Sequence, residues 1–234
     1  MKKQNIRIIQ EEIMSAAISS NRKIEEIKLV AVSKTFSVDE ILTVYDEGLF
    51  CFGENKAQEL AAKAKELSTK KIEWHFIGHL QSNKVKYVVP VAEYIHSIDS
   101  LKIAMEIEKV SAKIGKTQKV LLEMKTSEEE SKYGLTNKNE IFGILNYISK
   151  STSLDFQGLM TIAPFVEDEK LIRNSFVSLR NLKEEIEYEL KIDCKHLSMG
   201  MTSDFKIAIE EGATILRIGS AIFGDRIYNP IGFN

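Results

Sequence analysis

Ile6, Ile9, Ile13, Ala16 and Ala17 recur at helical spacing among charged and amide residues. This predicts an amphipathic lead-in helix from Gln4 to Ser20. The pattern then changes: short apolar runs, each followed by a longer stretch of helical period, alternate to the C-terminus. The strand candidates are Lys28 to Lys34, Leu49 to Gly53, Glu73 to Gly78, Tyr94 to Ile98, Lys119 to Met124, Leu154 to Met160, Lys195 to Ser198, and Thr214 to Gly219. Helix candidates between them are Val38 to Glu47, Lys56 to Leu67, Leu101 to Ile114, Lys138 to Lys150, Asp168 to Leu190, and Ser203 to Glu210. Ser37-Val38-Asp39-Glu40 reads as a capping box, with the serine oxygen on the N3 amide and the glutamate reaching back.

Near-continuous apolar runs such as Leu29-Val30-Ala31-Val32 and Val120-Leu121-Leu122 suit parallel strands buried on both faces. Eight β-then-α units favour an α/β fold closed as a (β/α)8 TIM barrel, with the N-terminal helix as an addition. A doubly wound open sheet is the competitor. It would leave sheet edges open, and no Gly-x-Gly-x-x-Gly follows a strand. With no Pro/Gly/Ser-rich linker, residues 1–234 read as a single domain.

A length of 234 residues fits this reading, since such barrels usually take about 250. No apolar run approaches the roughly 20 residues that span a bilayer, so no membrane partner is expected. Gln10-Glu11-Glu12 stands where a signal peptide would need an apolar stretch, which makes export unexpected and the cytoplasm the expected compartment. Cys51 and Cys194 lie in apolar, strand-like runs and read as reduced, buried thiols. The formal net charge of -2, with lysines interspersed among acids, gives no field for nucleic acid and points to small-molecule chemistry.

Barrels of this kind place their chemistry where strands end and loops begin. Lys34 closes the first strand; Glu54 and Asn55 follow the second; Lys125 follows the fifth. After the seventh comes Met199-Gly200-Met201-Thr202-Ser203, and the eighth runs through Arg217 into Gly219-Ser220-Ala221-Ile222-Phe223-Gly224. This last pair of loops has the make-up of a phosphate cradle, with Ser203 and Ser220 as hydroxyl donors and glycines admitting backbone amides. The plainer account is that Gly200 and Gly219 permit tight turns and Ser203 caps a helix.

Beside a bound phosphate, a lysine ending an apolar strand suits capture of an aldehyde, because desolvation favours the neutral, nucleophilic amine. Its ordinary fate is to reach the barrel rim. Lys125 is the positional rival, although Ser127-Glu128-Glu129-Glu130 would keep it charged and solvated. If pyridoxal phosphate is anchored by the last two loops, Arg217 is placed to face its pyridine nitrogen and hold it as an unprotonated acceptor, a poor electron sink. Otherwise Arg217 pairs with a barrel acid such as Glu123. Asn55 either bonds a ring substituent or caps the next helix. His75 and His79 span a strand and its loop, not one helical face, while His96 and His196 read as hydrogen-bonded core histidines.

Five segments resemble the pyridoxal phosphate homeostasis proteins. They are Ala31-Val32-Ser33-Lys34-Thr35; Phe52-Gly53-Glu54-Asn55-Lys56-Ala57-Gln58-Glu59; His75-Phe76-Ile77-Gly78-His79-Leu80-Gln81-Ser82-Asn83-Lys84; Leu197-Ser198-Met199-Gly200-Met201-Thr202-Ser203-Asp204; and Arg217-Ile218-Gly219-Ser220-Ala221-Ile222-Phe223-Gly224. The resemblance spans essentially the whole chain. It implies a barrel like the alanine racemase N-terminal domain, with pyridoxal 5′-phosphate held on Lys34 as a Schiff base and Arg217 facing the pyridine ring. Phosphate contacts are implied at Ser203, Gly219 and Ser220. Ser220 stands where many relatives have threonine and His79 where many have proline, and neither change removes a needed hydroxyl or backbone amide.

The function so implied is carriage and buffering of intracellular pyridoxal phosphate without strong catalysis, with PLP-dependent apoenzymes as possible recipients. One alternative is an amino-acid racemase. Racemases of this barrel take a tyrosine from a following β-domain of a partner subunit, and the chain reaches only Asn234, so Lys34 stands alone as acid/base and a monomer is expected. The other is a Schiff-base aldolase whose last two loops hold a substrate phosphate.

Overall fold

In the computed structural model, which describes residues 1–126 and 133–224, the predicted alternation closes on itself. Strands β1 (Lys28–Val32), β2 (Cys51–Glu54), β3 (Glu73–Phe76), β4 (Tyr94–Ile98), β5 (Gln118–Met124), β6 (Leu154–Thr161), β7 (His196–Ser198) and β8 (Ile215–Ile218) form a closed barrel in chain order. β8 returns to β1 in parallel register, with Lys28 opposite Ile215 and Ala31 opposite Ile218, so no sheet edge is left open.

Helices α1 (Lys2–Ser19), α2 (Val38–Asp46), α3 (Ala57–Glu66), α4 (Val85–Val88), α5 (Leu101–Lys113), α6 (Lys138–Ile148), α7 (Glu169–Leu190), α8 (Phe205–Glu210) and α9 (Ser220–Phe223) surround it. Their starts have local causes. Ser37 and Glu40 complete the expected capping box on α2. Ser100 accepts from Ile103 N at α5, Asn137 from two amides at α6, and Asp168 from two at α7. α1 buries Ile6, Ile9, Ile13 and Ala17 against α2, α8 and α9, which ties the first βα unit to the last. Among the described residues no helix is long and apolar enough to cross a membrane.

The structure departs from the sequence reading mainly at element ends. β1 stops at Val32, so Lys34 stands two residues beyond the strand that it was expected to close. Glu54 belongs to β2 and Thr161 to β6, each one residue past the expected end of its strand. Cys194 is buried but precedes β7, and Cys51, at the start of β2, is only partly buried. α4 was not expected. Its four residues, after a turn at Ser82–Lys84, are too few for an apolar period to show, although Val85 and Val88 are buried.

Candidate functional site

At the C-terminal ends of the strands lies a cavity of about 650 Å³, inside the size range of small-molecule sites. Lys34, Asn55, Ser203, Arg217, Gly219 and Ser220, drawn from four separate stretches of chain, all line it. So do Glu123 and Lys125 from the end of β5, and His79 and Tyr133.

The segment bearing Lys34 is held by a buried ionic network. Lys63 Nζ on α3 donates to Ser33 O at 2.8 Å, Glu54 Oε1 at 2.7 Å and Glu59 Oε1 at 2.7 Å. Ser33 Oγ donates to Glu54 Oε1 at 2.6 Å, and Thr35 N donates to Glu59 Oε1 at 2.8 Å. Both neighbours of Lys34 are therefore pinned by the same three charged side chains. Thr35 has φ +72°, a left-handed conformation costly for a β-branched residue, which persists only where the surroundings enforce it. Burial pushes the Glu54 carboxyl above its ordinary value against the pull of Lys63 and Ser33. Burial also acts on Glu59, but Lys63 and the Thr35 amide outweigh it and lower its pKa.

Asn55 does not cap α3, whose N-cap is Lys56. Its Oδ1 is buried without a hydrogen-bond partner at the cavity. Gly78 allows this placement, since a Cβ there would sit 2.2 Å from Asn55 O.

The turn-chemistry account of the last two loops divides. Gly200 has φ +95°, and a Cβ on it would meet Ala208 Cβ at 2.7 Å, so its loop needs glycine for the chain's own geometry. Gly219 has φ -114°, and a Cβ would make only ordinary contact with Val32 at 3.4 Å. Neither backbone nor packing demands glycine there. Ser203 is exposed and does not cap α8; Asp204 is the N-cap, and its Oδ1 accepts from Met201 N at 2.5 Å. Ser220 Oγ and the Ala221 amide meet Thr202 Oγ1 across the two loops at 3.2 and 3.4 Å.

Arg217 is buried yet lines the cavity. Its hydrogen bonds go to Ser198 Oγ at 2.6 Å and Thr161 O at 2.8 Å, not to Glu123 as the ion-pair alternative required. Burial lowers its pKa to about 10, against Asp204 and Glu123, and leaves it cationic at neutral pH. Glu123 is buried with Oε2 unpartnered. Burial first, then Asp99, push its pKa up to about 7, opposed by Arg217. Sequence reasoning had found no role for Glu123 beyond a possible partner for Arg217, because its isolation appears only when the barrel closes.

His79 is the other side chain undervalued in sequence. It stacks on Tyr133, ring centroids 3.8 Å apart, and pairs with Asp99 Oδ2 at 3.0 Å. Tyr133 carries no motif that would have exposed it. Lys125 shares the cavity, so position alone still leaves it a rival; the acidic run expected to keep it solvated lies outside the described residues. His96 is a buried histidine hydrogen-bonded to Ser198 Oγ at 2.9 Å, as expected, whereas His196 bonds Thr214 Oγ1 at 3.2 Å but is only partly buried.

Residues 9–227 match the family described as alanine racemase, N-terminal domain. The chain is 40% identical to the pyridoxal phosphate homeostasis protein of Aquifex aeolicus (strain VF5) over 94% of its own length and 96% of that protein. It is likewise 40% identical to the Homo sapiens protein of that name, over 96% of this chain and 86% of the other. Among solved structures it is similar to PipY of Synechococcus elongatus PCC7942 with PLP bound. That similarity has a TM-score of 0.81 at 32% identity and covers 92% of this chain and all of that one.

Proposed function

Because the chain belongs to the pyridoxal phosphate homeostasis proteins, built on the alanine racemase N-terminal fold, we propose that it binds pyridoxal 5′-phosphate in the cavity and keeps it for delivery. The residues present fit that group. Asn55 offers a buried, unpartnered acceptor at the cavity, and Gly219 leaves room that the chain's own packing does not require. When bound, the cofactor supplies an aldehyde that the Lys34 amine captures as a Schiff base. Ser203, Ser220 and the Gly219 backbone hold the phosphate, Asn55 takes a ring substituent, and Arg217 faces the pyridine nitrogen.

The observation that carries the non-catalytic reading is the tethering of Arg217. A guanidinium fixed by Ser198 Oγ and Thr161 O, and still charged at neutral pH, donates and never accepts. A pyridine nitrogen facing it stays unprotonated, and the ring is a weak electron sink, suited to holding and poorly suited to carbanion chemistry. The reading carries with it a one-domain, monomeric, cytoplasmic protein whose recipients are PLP-dependent apoenzymes.

Borohydride reduction of the PLP-loaded protein, followed by peptide mapping, tests the anchor. Label is expected on Lys34, and Lys34→Ala is expected to lose both the label and the visible absorption band while keeping the fold. Label on Lys125 instead would overturn the assignment, and a protein that takes up no PLP would overturn the whole reading. Incubation with L-alanine and chiral analysis separates carriage from racemisation. Turnover on the order of 10 per second, ordinary for an enzyme, would defeat the carrier reading.

A further inference from the structure

We propose that Glu73, at the mouth of the barrel opposite the cavity, is a positioning residue for Arg217 and acts through a one-directional chain of hydrogen bonds inside the barrel. The chain has four links. Arg217 Nη1 lies 2.6 Å from Ser198 Oγ, and Ser198 Oγ lies 2.9 Å from His96 Nδ1. His96 Nε2 lies 2.8 Å from His75 Nδ1, and His75 Nε2 lies 2.8 Å from Glu73 Oε1. Such an interior is unusual, since barrels of this kind mostly fill their centre with branched apolar side chains.

Elementary donor and acceptor chemistry decides the direction. A guanidinium only donates and a carboxylate only accepts, while a hydroxyl and two neutral imidazoles each have one proton for this line. One arrangement satisfies all four links: Arg217 donates to Ser198, Ser198 to His96, His96 to His75, and His75 to Glu73. Both histidines must then carry their proton on Nε2. The Ser198 hydroxyl proton points away from Arg217, so an oxygen lone pair receives the guanidinium. Together with Thr161 O, this fixes the plane in which Arg217 meets the cavity.

The charge states suit the chain. Burial holds His75 and His96 below the ordinary imidazole value, so both are neutral at neutral pH. The His75 hydrogen bond, with Lys28 adding to it and burial opposing, holds Glu73 at about 2. Lys28 pairs with Glu73, and the Cys51 thiol beside it is pushed up to about 11, chiefly by burial, so it stays protonated. The Tyr94 ring stacks on His75, centroids 4.8 Å apart, and excludes a competing partner on that face. Cooperative polarisation strengthens bonds aligned in one sense, so removing the terminal acceptor loosens every link up to Arg217.

The chain itself stands on this structure alone; its effect on the cofactor rests on the function proposed above, and the test separates the two. Long-range nitrogen–proton NMR of the protein without added PLP, assigned with His75→Gln and His96→Gln, is expected to show both rings as neutral Nε2–H tautomers. A proton on Nδ1 of either ring overturns the chain, whether or not the protein binds PLP. Glu73→Leu is expected to mix those tautomers, move the absorption maximum of the PLP-loaded protein and weaken PLP binding about fivefold. Glu73→Gln, which keeps an acceptor oxygen, is expected to restore the tautomers. Ser198→Ala, cutting the chain beside Arg217, should reproduce the effect on PLP even where Glu73→Leu fails to fold. Glu93→Gln, which breaks the Lys119 ion pair outside the chain, should leave tautomers and spectrum unchanged. Correct tautomers with an unmoved spectrum and affinity in both Glu73→Leu and Ser198→Ala would overturn the positioning role.

Discussion

Lys63→Met is expected to destabilise the fold by about 3 to 5 kcal/mol at neutral pH, the usual cost of removing one partner from a buried ion pair. Among the described residues the Lys63 ammonium is the sole cation bonded to Glu54, whose side chain is wholly buried, and it also holds Ser33 O and Glu59. Methionine fills similar space but removes the charged donor from all three acceptors, leaving the Ser33 hydroxyl on Glu54, the Thr35 amide on Glu59 and the Phe36 amide on Ser33 O as neutral donors. Glu54, already raised by burial, rises further once its cation is gone, so the folded variant takes up a proton that the unfolded chain releases. The deficit is therefore expected to be largest at neutral and alkaline pH and to shrink as pH falls toward the ordinary carboxylate range. Urea unfolding at pH 5 and pH 8 measures both, and adding Glu54→Gln to Lys63→Met is expected to recover part of the loss. A deficit under about 1 kcal/mol, within the range of an exposed pair, would refute the network's role. The same variant loses the tether on Ser33 O and the cation that holds Glu54 and Glu59 together on either side of Lys34, and its PLP label is expected to form more slowly.

That network explains why the barrel was legible in the sequence while the support of its central lysine was not. Alternation of β-rich runs with helical periods survives any one-residue error in an element's end, so the closed barrel and its extra N-terminal helix could be read directly. Strand ends are decided by hydrogen bonds between distant segments, and the shift of Lys34 from strand to loop follows from that. That Ser203, Gly219 and Ser220 line the cavity was legible because such barrels gather their chemistry at loops seven and eight. Lys63 offered no signal: in the sequence it is one more lysine on an amphipathic helix. It acquires its role only when α3 folds back across β2 and brings Nζ to Glu54.

Arg217 shows the converse limit. Its place two residues before Gly219 in the eighth strand sets it on the same cavity, but its partner could not be deduced from that position. Glu123 was the charged candidate, yet the structure joins Arg217 to a serine hydroxyl and a carbonyl. A buried cation satisfied by neutral acceptors keeps its charge directed at whatever enters the cavity, which a direct ion pair would have spent on the protein itself.

The acid left unpaired by that arrangement gives the second large effect. Glu123→Gln is expected to stabilise the protein by up to about 3 kcal/mol above pH about 8 and to change nothing below pH about 4. Glu123 has an ordinary value of 4.5 and stands at about 7 in the fold, raised by burial and by Asp99 against the pull of Arg217. Between those two values the folded chain holds a proton that the unfolded chain has released, so the folded state loses ground as pH rises through the window. Each pH unit in that window costs up to about 1.4 kcal/mol, and the loss stops growing once the folded carboxyl has also ionised. Glutamine resembles the protonated acid and cannot ionise, so it removes the loss without adding a charge. The check is urea unfolding of both proteins across pH 4 to 9, without PLP so that ligand linkage does not enter. A stability difference that stays flat with pH would place the raised value elsewhere. Because Glu123 lines the cavity and acts electrostatically on Arg217, ionisation above pH 7 also sets a negative charge against the guanidinium that the cofactor ring is proposed to face. PLP affinity of the parent is accordingly expected to change across the same pH window, and that of Glu123→Gln to vary less.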